Sequence, residues 1–589
     1  MAVLRALTDW HILMWAVPAV CAVLLAALGS RLSNRWLHGL ALTGNGLCLL
    51  QALAAQAFFL FGPTGGYDNQ VRIDWLAEAP FQMVFRLDET GAWAALVLAG
   101  VTLAAQLHAA AMVSRLGGRH RFAALLQIGL AAGCLLCCAG SPLVLLVGWE
   151  GQALAAAFLA GFWEPEAGGG RVGMRWLLFQ RLSGVLLTMG VFGLVLDLDV
   201  GLALVLAGVL VRAGQFPFHG WLPEVGQVPA PAAALIHGAW STLPAVFLLI
   251  RSGGLIQTSA WAPEVLLGLA LGGVLLGALA GLQQPEPTKA LGWVFVMHGG
   301  LAFLGLALGD QVAAVLLVSG QAICLAGLTL AAGVLNDPLA DLGAVVGLPT
   351  RWRGQWAFGV LALTSVLPPG LGWLGLGRLL VAAPEGAVGH LTLAAVGLAG
   401  LTSGWVCLRV LRQLRLRTAE AGFAALAANR WLALGPWLLA AAAAAAGGLV
   451  LGLHGEEAAG GGAGLVWGLL GAGGACLGGG LQLLLGQRRQ RWLPGRLLRA
   501  QRVAQWLADS GLGIGAAVVQ LPVMVARSLG VIVWRVLGEW VVDGLVVGTA
   551  YRTVQGIGMV LRGLQNGQPQ RYTLLIAVAA LALVLWMLR

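Results

Sequence analysis

Residues 208–251 read GVLVRAGQFPFHGWLPEVGQVPAPAAALIHGAWSTLPAVFLLIR, and the reading of this stretch decides the fold. An apolar segment runs into Arg212 and Gln215 and then meets Pro217. The chain turns through Gly220, Trp221, Leu222, Pro223 and Glu224. A second apolar run restarts after Pro229 and Pro231, with His237 inside it. Proline supplies no N–H, so this run of prolines breaks the helical hydrogen-bond ladder. In a bilayer such a break persists only where protein or enclosed water satisfies the freed backbone groups. Two readings follow. Broken membrane helices with ionisable side chains mark ion paths; the other reading is a proline kink without chemistry.

The surrounding sequence makes the bilayer the solvent. Of 589 residues, 59% are hydrophobic and 10% charged, more apolar surface than a soluble domain hides, so the chain reads as an all-α polytopic membrane protein. A span takes ~20 apolar residues; about 15 such runs, with one more at the C-terminal end, give ~16 transmembrane helices. Lys289 is the sole lysine, so the net charge of +10 is arginine charge. It reads as loop arginines facing the cytoplasm of a bacterial inner membrane and excludes a nucleic-acid surface. The eight cysteines lie in apolar runs. Cys134, Cys137 and Cys138 cluster without a histidine or a second cysteine pair, and read as small buried side chains with no metal site. There is no dinucleotide-binding glycine motif, iron–sulfur spacing or haem box, so no cofactor is expected in this chain.

Residues 10–29 carry no cleavable-signal pattern and form the first expected span. The second covers 37–61, and a polar loop, 62–89, follows. Further spans are expected at 90–114, 122–140, 142–163 with Glu150, and 176–196 with Arg181. Beyond the broken seventh and the eighth lie 264–283, 290–308 and 311–334, then 356–380, broken at Pro368 and Pro369. Spans at 389–408, 432–453 and 463–485 complete the bundle. Arginines crowd alternate loops: Arg31 and Arg35, Arg115 to Arg121, Arg171 and Arg175, Arg351 and Arg353, Arg409 to Arg417, Arg488 to Arg491. The loops between them hold acids, so the N-terminus is expected outside and 486–570 in the cytoplasm, with Arg251 the exception. Pro217–Trp221 and Pro369–Trp373 share a P-x-x-G-W break. Two broken spans in corresponding places suggest inverted repeats with an ion site near each. In 487–570, Arg527, Arg535, Glu539, Asp543 and Arg552 fall near one helical face. About 65 helical residues would extend on the order of 100 Å. This predicts a long amphipathic helix along the bilayer surface, kinked at Pro522, and a last anchoring span at 572–588.

The broken stretch resembles the antiporter-like subunits of respiratory complex I, NADH:quinone oxidoreductase, and above all the L subunit (subunit 5). The large Mrp antiporter subunits share its signature. Their pattern, K-S-A-Q-x-P-L-H-x-W-L-P-[DE] followed by G-P-T-P-V-S-A-L-I-H, is met by Gln215, Pro217, His219, Trp221, Leu222, Pro223, Glu224, Pro229, Pro231, Ala234, Leu235, Ile236 and His237. The lateral tail, with E-W-V-V-D-G-L-V at 539–546, also resembles subunit L. The resemblance implies two inverted five-helix repeats, 122–251 and 252–415. Spans one to three (1–121), spans fourteen and fifteen (416–486), the lateral helix (487–570) and the anchor (571–589) lie outside them. It implies proton translocation driven by redox steps in other membrane-arm subunits, with the lateral helix as a clamp. Alternatives are a non-conducting structural homologue, a Mrp-type cation/proton antiporter and the membrane partner of an inorganic-carbon uptake protein.

The resemblance makes Glu150 the span-five glutamate and sets Arg212 where relatives carry its lysine partner. Arginine balances charge but does not release a proton near neutral pH. His237 and His298 are further proton-path candidates, and Arg378 lies two residues from Leu376, on which a second family lysine falls. Leu317, Gln321 and Leu325 stand in place of an H-x-x-x-H-x-x-x-K series, and Gly184 in place of an aspartate. The fold signature survives better than the titratable chain.

Overall fold

A computed structural model describes residues 2–62, 69–73, 82–112, 118–162, 169–196, 198, 200–333, 358–362, 365, 370–417, 430–454, 457, 460–485, 514–533, 548–564, 574, 576–582 and 586. The chain forms two compact units, Met1–Val518 and Val519–Arg589. Among the described residues, 12 helices are long and apolar enough to cross a membrane, or 13 if the bent pair α1 (Ala2–Asp9) and α2 (Ile12–Leu28) counts as one.

Four spans follow in the N-terminal half: α3 (Asn34–Phe61), α4 (Glu89–Met112), α5 (Arg119–Cys137) and α6 (Pro142–Ala160). Proline at the start of α6 costs nothing, because its missing N–H falls among the unpaired donors of the first turn. α7 (Gly169–Val195) returns beside the short α8 (Val200–Arg212). Gly208 lets these two helices touch: a Cβ there would lie 2.9 Å from the Ser183 carbonyl oxygen. The next span, α9 (Ala230–Arg251), is helical throughout but winds as a π-helix over Leu235–Thr242. A short α10 (Gly253–Thr258) leads to α11 (Ala262–Gln283), α12 (Pro287–Ala307) and α13 (Gln311–Ala332), the last with a π turn at Gln321–Leu325. Then come α14 (Leu371–Ala382), α15 (Ala387–Arg417), α16 (Arg430–His454) and α17 (Gly461–Leu485).

One apolar core runs from α2 to α16. α12 is buried over its full length and α9 nearly so. Helices that are apolar on every side belong inside such a bundle. These two therefore form its axis, and they carry His298 and His237.

The polar 62–89 loop contains a hairpin. β1 (Val71–Ile73) pairs antiparallel with β2 (Met83–Phe85), Arg72 opposite Val84, and Phe85 bridges to Ala139. Three-residue strands leave no legible period in a sequence. Nearby, Arg251 donates to Asp88 Oδ2 at 2.8 Å and to the Ala139 carbonyl at 2.6 Å. Its charge is met by protein, which explains the exception to the arginine alternation.

Of the expected lateral helix, two pieces are described, α18 (Ile514–Val533) and α19 (Gly548–Leu564). α19 is largely exposed, with Arg552 and Arg562 along it. Arg535, Glu539 and Asp543, and the expected break at Pro368 and Pro369, lie outside the described residues.

Candidate functional site: the broken span and its buried arginine

α8 ends on Arg212. Gly214 adopts φ +57°, a left-handed conformation in which glycine pays no Cβ penalty. Its N–H donates to Val211 O at 3.2 Å and that of Gln215 to Leu210 O at 3.0 Å, the paired bonds of a Schellman termination. Val211 O also accepts from Trp221 Nε1 at 3.2 Å. The Phe216–Pro217 peptide is cis. Two 3₁₀ turns, His219–Trp221 and Pro223–Gln227, then carry the chain to Pro229 and Pro231 at the start of α9. Protein groups thus meet the demand that a polar break makes inside a bilayer. Glu224 pairs with Arg175, and Trp176 packs edge-on against Trp221, ring centroids 4.5 Å apart.

The termination leaves the Arg212 guanidinium wholly buried among neutral oxygens. Nη2 donates to Gln152 Oε1 at 2.7 Å, Nε to Trp240 O at 3.0 Å, and Nη1 to Trp149 O at 3.2 Å and Gln180 Oε1 at 3.4 Å. The charge also lies 4.8 Å from the centre of the Trp149 ring, within cation–π range. Local sequence prepares these acceptors. Pro244 has no N–H, so the Trp240 carbonyl four residues earlier loses its helical donor and Arg212 takes the place. Trp149 is held by Ser183 Oγ at 3.2 Å, and that hydroxyl donates to Gly208 O at 2.7 Å.

The π segment of α9 gathers the remaining polar groups. His237 Nε2 lies 2.8 Å from Leu222 O on the broken loop, and its ring stacks on Phe295 of α12 at 4.5 Å. Ser241 Oγ donates to Ile236 O at 2.6 Å, satisfying a carbonyl of the wide turn. Thr242 Oγ1 accepts from Gln321 Nε2 at 3.2 Å, and Phe295 O accepts from the same nitrogen at 3.3 Å. One turn along α12, His298 Nε2 meets Ser403 Oγ of α15 at 3.0 Å. These contacts form a polar string of separate groups, Arg212 on Trp240 O, Gln321 between Thr242 and Phe295 O, and His298 on Ser403, linked by the helices that carry them. π-bulges of this kind concentrate at functional sites.

The chain is similar to known proteins in sequence and in fold. Residues 195–402 match the transmembrane family described as NADH:quinone oxidoreductase/Mrp antiporter. That match makes this stretch similar to the antiporter-like chains of complex I and Mrp assemblies. It is 26% identical over 331 residues to NADH-quinone oxidoreductase subunit L of Mycobacterium tuberculosis, covering 51% of each chain. Against subunit L of Pseudomonas aeruginosa it is 28% identical over 335 residues, 51% of this chain and 54% of the relative. A probable K(+)/H(+) antiporter component of Rhizobium meliloti is 28% identical over 317 residues, 49% of this chain and 31% of that protein. The matches thus span about half the length of the subunit L relatives. The Mrp complex from Dietzia sp. shares the fold at TM-score 0.63 and 19% identity, over 98% of this chain and 63% of that one.

In this chain the expected Glu150–Arg212 ion pair is replaced. Glu150 pairs with Arg181 of α7, and Arg212 donates to neutral oxygens. The cause is at Gly184, where the family aspartate is missing: a Cβ there would overlap Glu150 Oε1. The carboxylate occupies that space, one helical turn from Arg181. Side-chain exposures are 29% for Glu150 and 38% for Arg181, while Glu150 Oε2 and Arg181 Nε and Nη2 are enclosed. Arg378 also lies apart from the polar string. It donates to Asp310 Oδ2 at 2.7 Å and to Glu457 O at 2.7 Å, and Asp310 caps α13 through the Ala313 N–H at 2.9 Å. Leu317, Leu325 and Leu376 are each about 1% exposed within the apolar core. Gln152, Gln180 and Trp240 were missed as site residues, because nothing in their own positions distinguishes them from core polar and aromatic residues.

Proposed function

We propose that this chain is the antiporter-like membrane-arm subunit of an ion-translocating complex of the NADH:quinone oxidoreductase type. Its transport would be coupled to redox chemistry carried by other chains, with no cofactor of its own. The observation that carries the reading is the buried Arg212 at the end of the broken span, joined by hydrogen bonds to the π segment that bears His237. Glu150, Arg212, His237 and His298 are the proton-path residues, with internal water bridging the gaps that side chains leave. Arg378 acts as a clamp on α13. The finer architecture is part of the proposal: ~16 spans, two inverted repeats at 122–251 and 252–415, and an N-terminus outside. A cytoplasmic lateral helix over 487–570 and an anchor over 571–589 would hold neighbouring subunits in an inner membrane.

A second reading, a non-conducting member of such an assembly, is favoured by Leu317, Leu325 and Leu376 and by the permanent charge of Arg212. Purifying the tagged chain from its native membrane tests the assembly. Redox subunits among its partners support the oxidoreductase reading, and small antiporter subunits support the Mrp type. Proton translocation per electron in the purified complex then tests the path. A stoichiometry raised by Arg212→Lys with Leu325→Lys and Leu376→Lys favours the non-conducting reading. A full native stoichiometry lost in Glu150→Gln rejects it.

A further inference from the structure

Away from the polar string, two thiols touch inside the apolar core. Cys48 on α3 and Cys134 on α5 bring their sulfurs to 3.4 Å, and both are fully enclosed. Helix register sets this contact. Gln127 Nε2 of α5 donates to Ala41 O of α3 at 2.6 Å. From Ala41 to Cys48 and from Gln127 to Cys134 are equal steps of seven residues, about two helical turns. The two helices therefore present matched faces along this line, and the thiols meet on rigid elements.

We propose that Cys48 and Cys134 are a reversible dithiol–disulfide pair, a redox-responsive staple between α3 and α5. The oxidant in this proposal is an organic hydroperoxide, an uncharged class that dissolves in a bilayer. One sulfur attacks the peroxide oxygen, the O–O bond breaks, and a sulfenic acid and an alcohol form. The second thiol attacks the sulfenic sulfur, the S–S bond forms and water leaves. The balance is 2 RSH + R′OOH → RSSR + R′OH + H2O, with two electrons passing from the thiols to the peroxide. The sulfurs have to close from 3.4 Å to the ~2.05 Å of a disulfide.

The staple lies where it can matter. Gly133, next to Cys134, packs against the Gln152 amide, and Gly129, one turn earlier, packs against the Trp240 ring. Gln152 and Trp240 supply two of the Arg212 acceptors. A covalent link at Cys134 fixes the helix on which both of them lean.

The test uses native membrane vesicles holding the intact assembly and needs no transport activity. Vesicles are treated with tert-butyl hydroperoxide, free thiols are blocked with N-ethylmaleimide, and the denatured chain is peptide-mapped. The expected result is loss of three of the eight thiols, those of Cys476, Cys48 and Cys134, with the Cys48 and Cys134 peptides joined and released by dithiothreitol. Cys48→Ala and Cys134→Ala should each abolish the link. The map of the unsubstituted chain decides the question even if either variant accumulates poorly. Cys476 is exposed and reports that oxidant was sufficient. Unlinked Cys48 and Cys134 peptides after Cys476 is fully oxidised overturn the proposal, and so does a link from Cys134 to Cys137 in place of Cys48.

Discussion

Arg212 is a permanent charge in the apolar core, and the geometry around it answers why an arginine can stand there. A guanidinium is a planar fork whose donors spread over several acceptors, whereas an ammonium is a compact point charge. Here the fork reaches two side-chain amides and two backbone carbonyls on three helices. Arg212→Leu strands those acceptors at ~1–3 kcal/mol for each one left unsatisfied. Arg212→Lys should fall between wild type and Arg212→Leu. Thermal unfolding midpoints in detergent rank the three, and equal midpoints would mean that the acceptors find other donors. Glu150 is a weaker anchor. Its pair with Arg181 is a single contact, and a glutamine keeps an amide oxygen that can accept from Arg181. Glu150→Gln should therefore lower the midpoint less than Arg212→Leu does. Both charges were legible in the sequence as residues out of place in apolar runs. Their partners were not, because pairing depends on helix rotation and on the space left by Gly184.

At the scale of the element, the π segment of α9 meets α12 through His237 and α13 through Thr242, and nothing in hydropathy reveals it. A π turn keeps the apolar composition of an α-helix, so 230–251 reads as one ordinary span. The legible signal was Pro244, which frees the Trp240 carbonyl, and Ser241, which satisfies the Ile236 carbonyl. The apolar spans themselves were legible nearly to their ends, because a bilayer fixes both their length and their composition. The break after Arg212 was legible too, since prolines and a glycine are hard to place elsewhere. The Trp240 ring is held by the bare backbone of Gly129, where a Cβ would lie 2.8 Å from Cζ3 and closer still to two other ring atoms. Gly129→Ala should therefore cost ~1–3 kcal/mol by overpacking and tilt the turn that receives Arg212. The measurements are the unfolding midpoint and the amount of assembled complex in the membrane. An unchanged midpoint would show that the ring has room to move.

For the whole molecule the question is whether charge can cross the second half. α9 and α12 form the buried axis, and His237 and His298 lie on it. Leu317, Leu325 and Leu376 are buried in the apolar core, and a Cβ on Gly375 would lie 2.7 Å from Leu317 Cγ. Water enters a cavity only where space and several polar partners coincide, and an apolar, close-packed layer offers neither. Proton relay also needs groups that change charge near neutral pH, which glutamine, serine, threonine and leucine do not. Gln321 should therefore act as a structural bridge from Phe295 O to Thr242 Oγ1 and not as a relay. Gln321→Leu should leave proton translocation per electron unchanged in the purified complex, while costing ~1 kcal/mol for the lost hydrogen bonds. The opposing result is a native complex at full stoichiometry that loses proton movement in Gln321→Leu with its assembly intact. In that case water must thread the α12–α13 interface beside the leucines, and the dry-barrier reading of this chain fails.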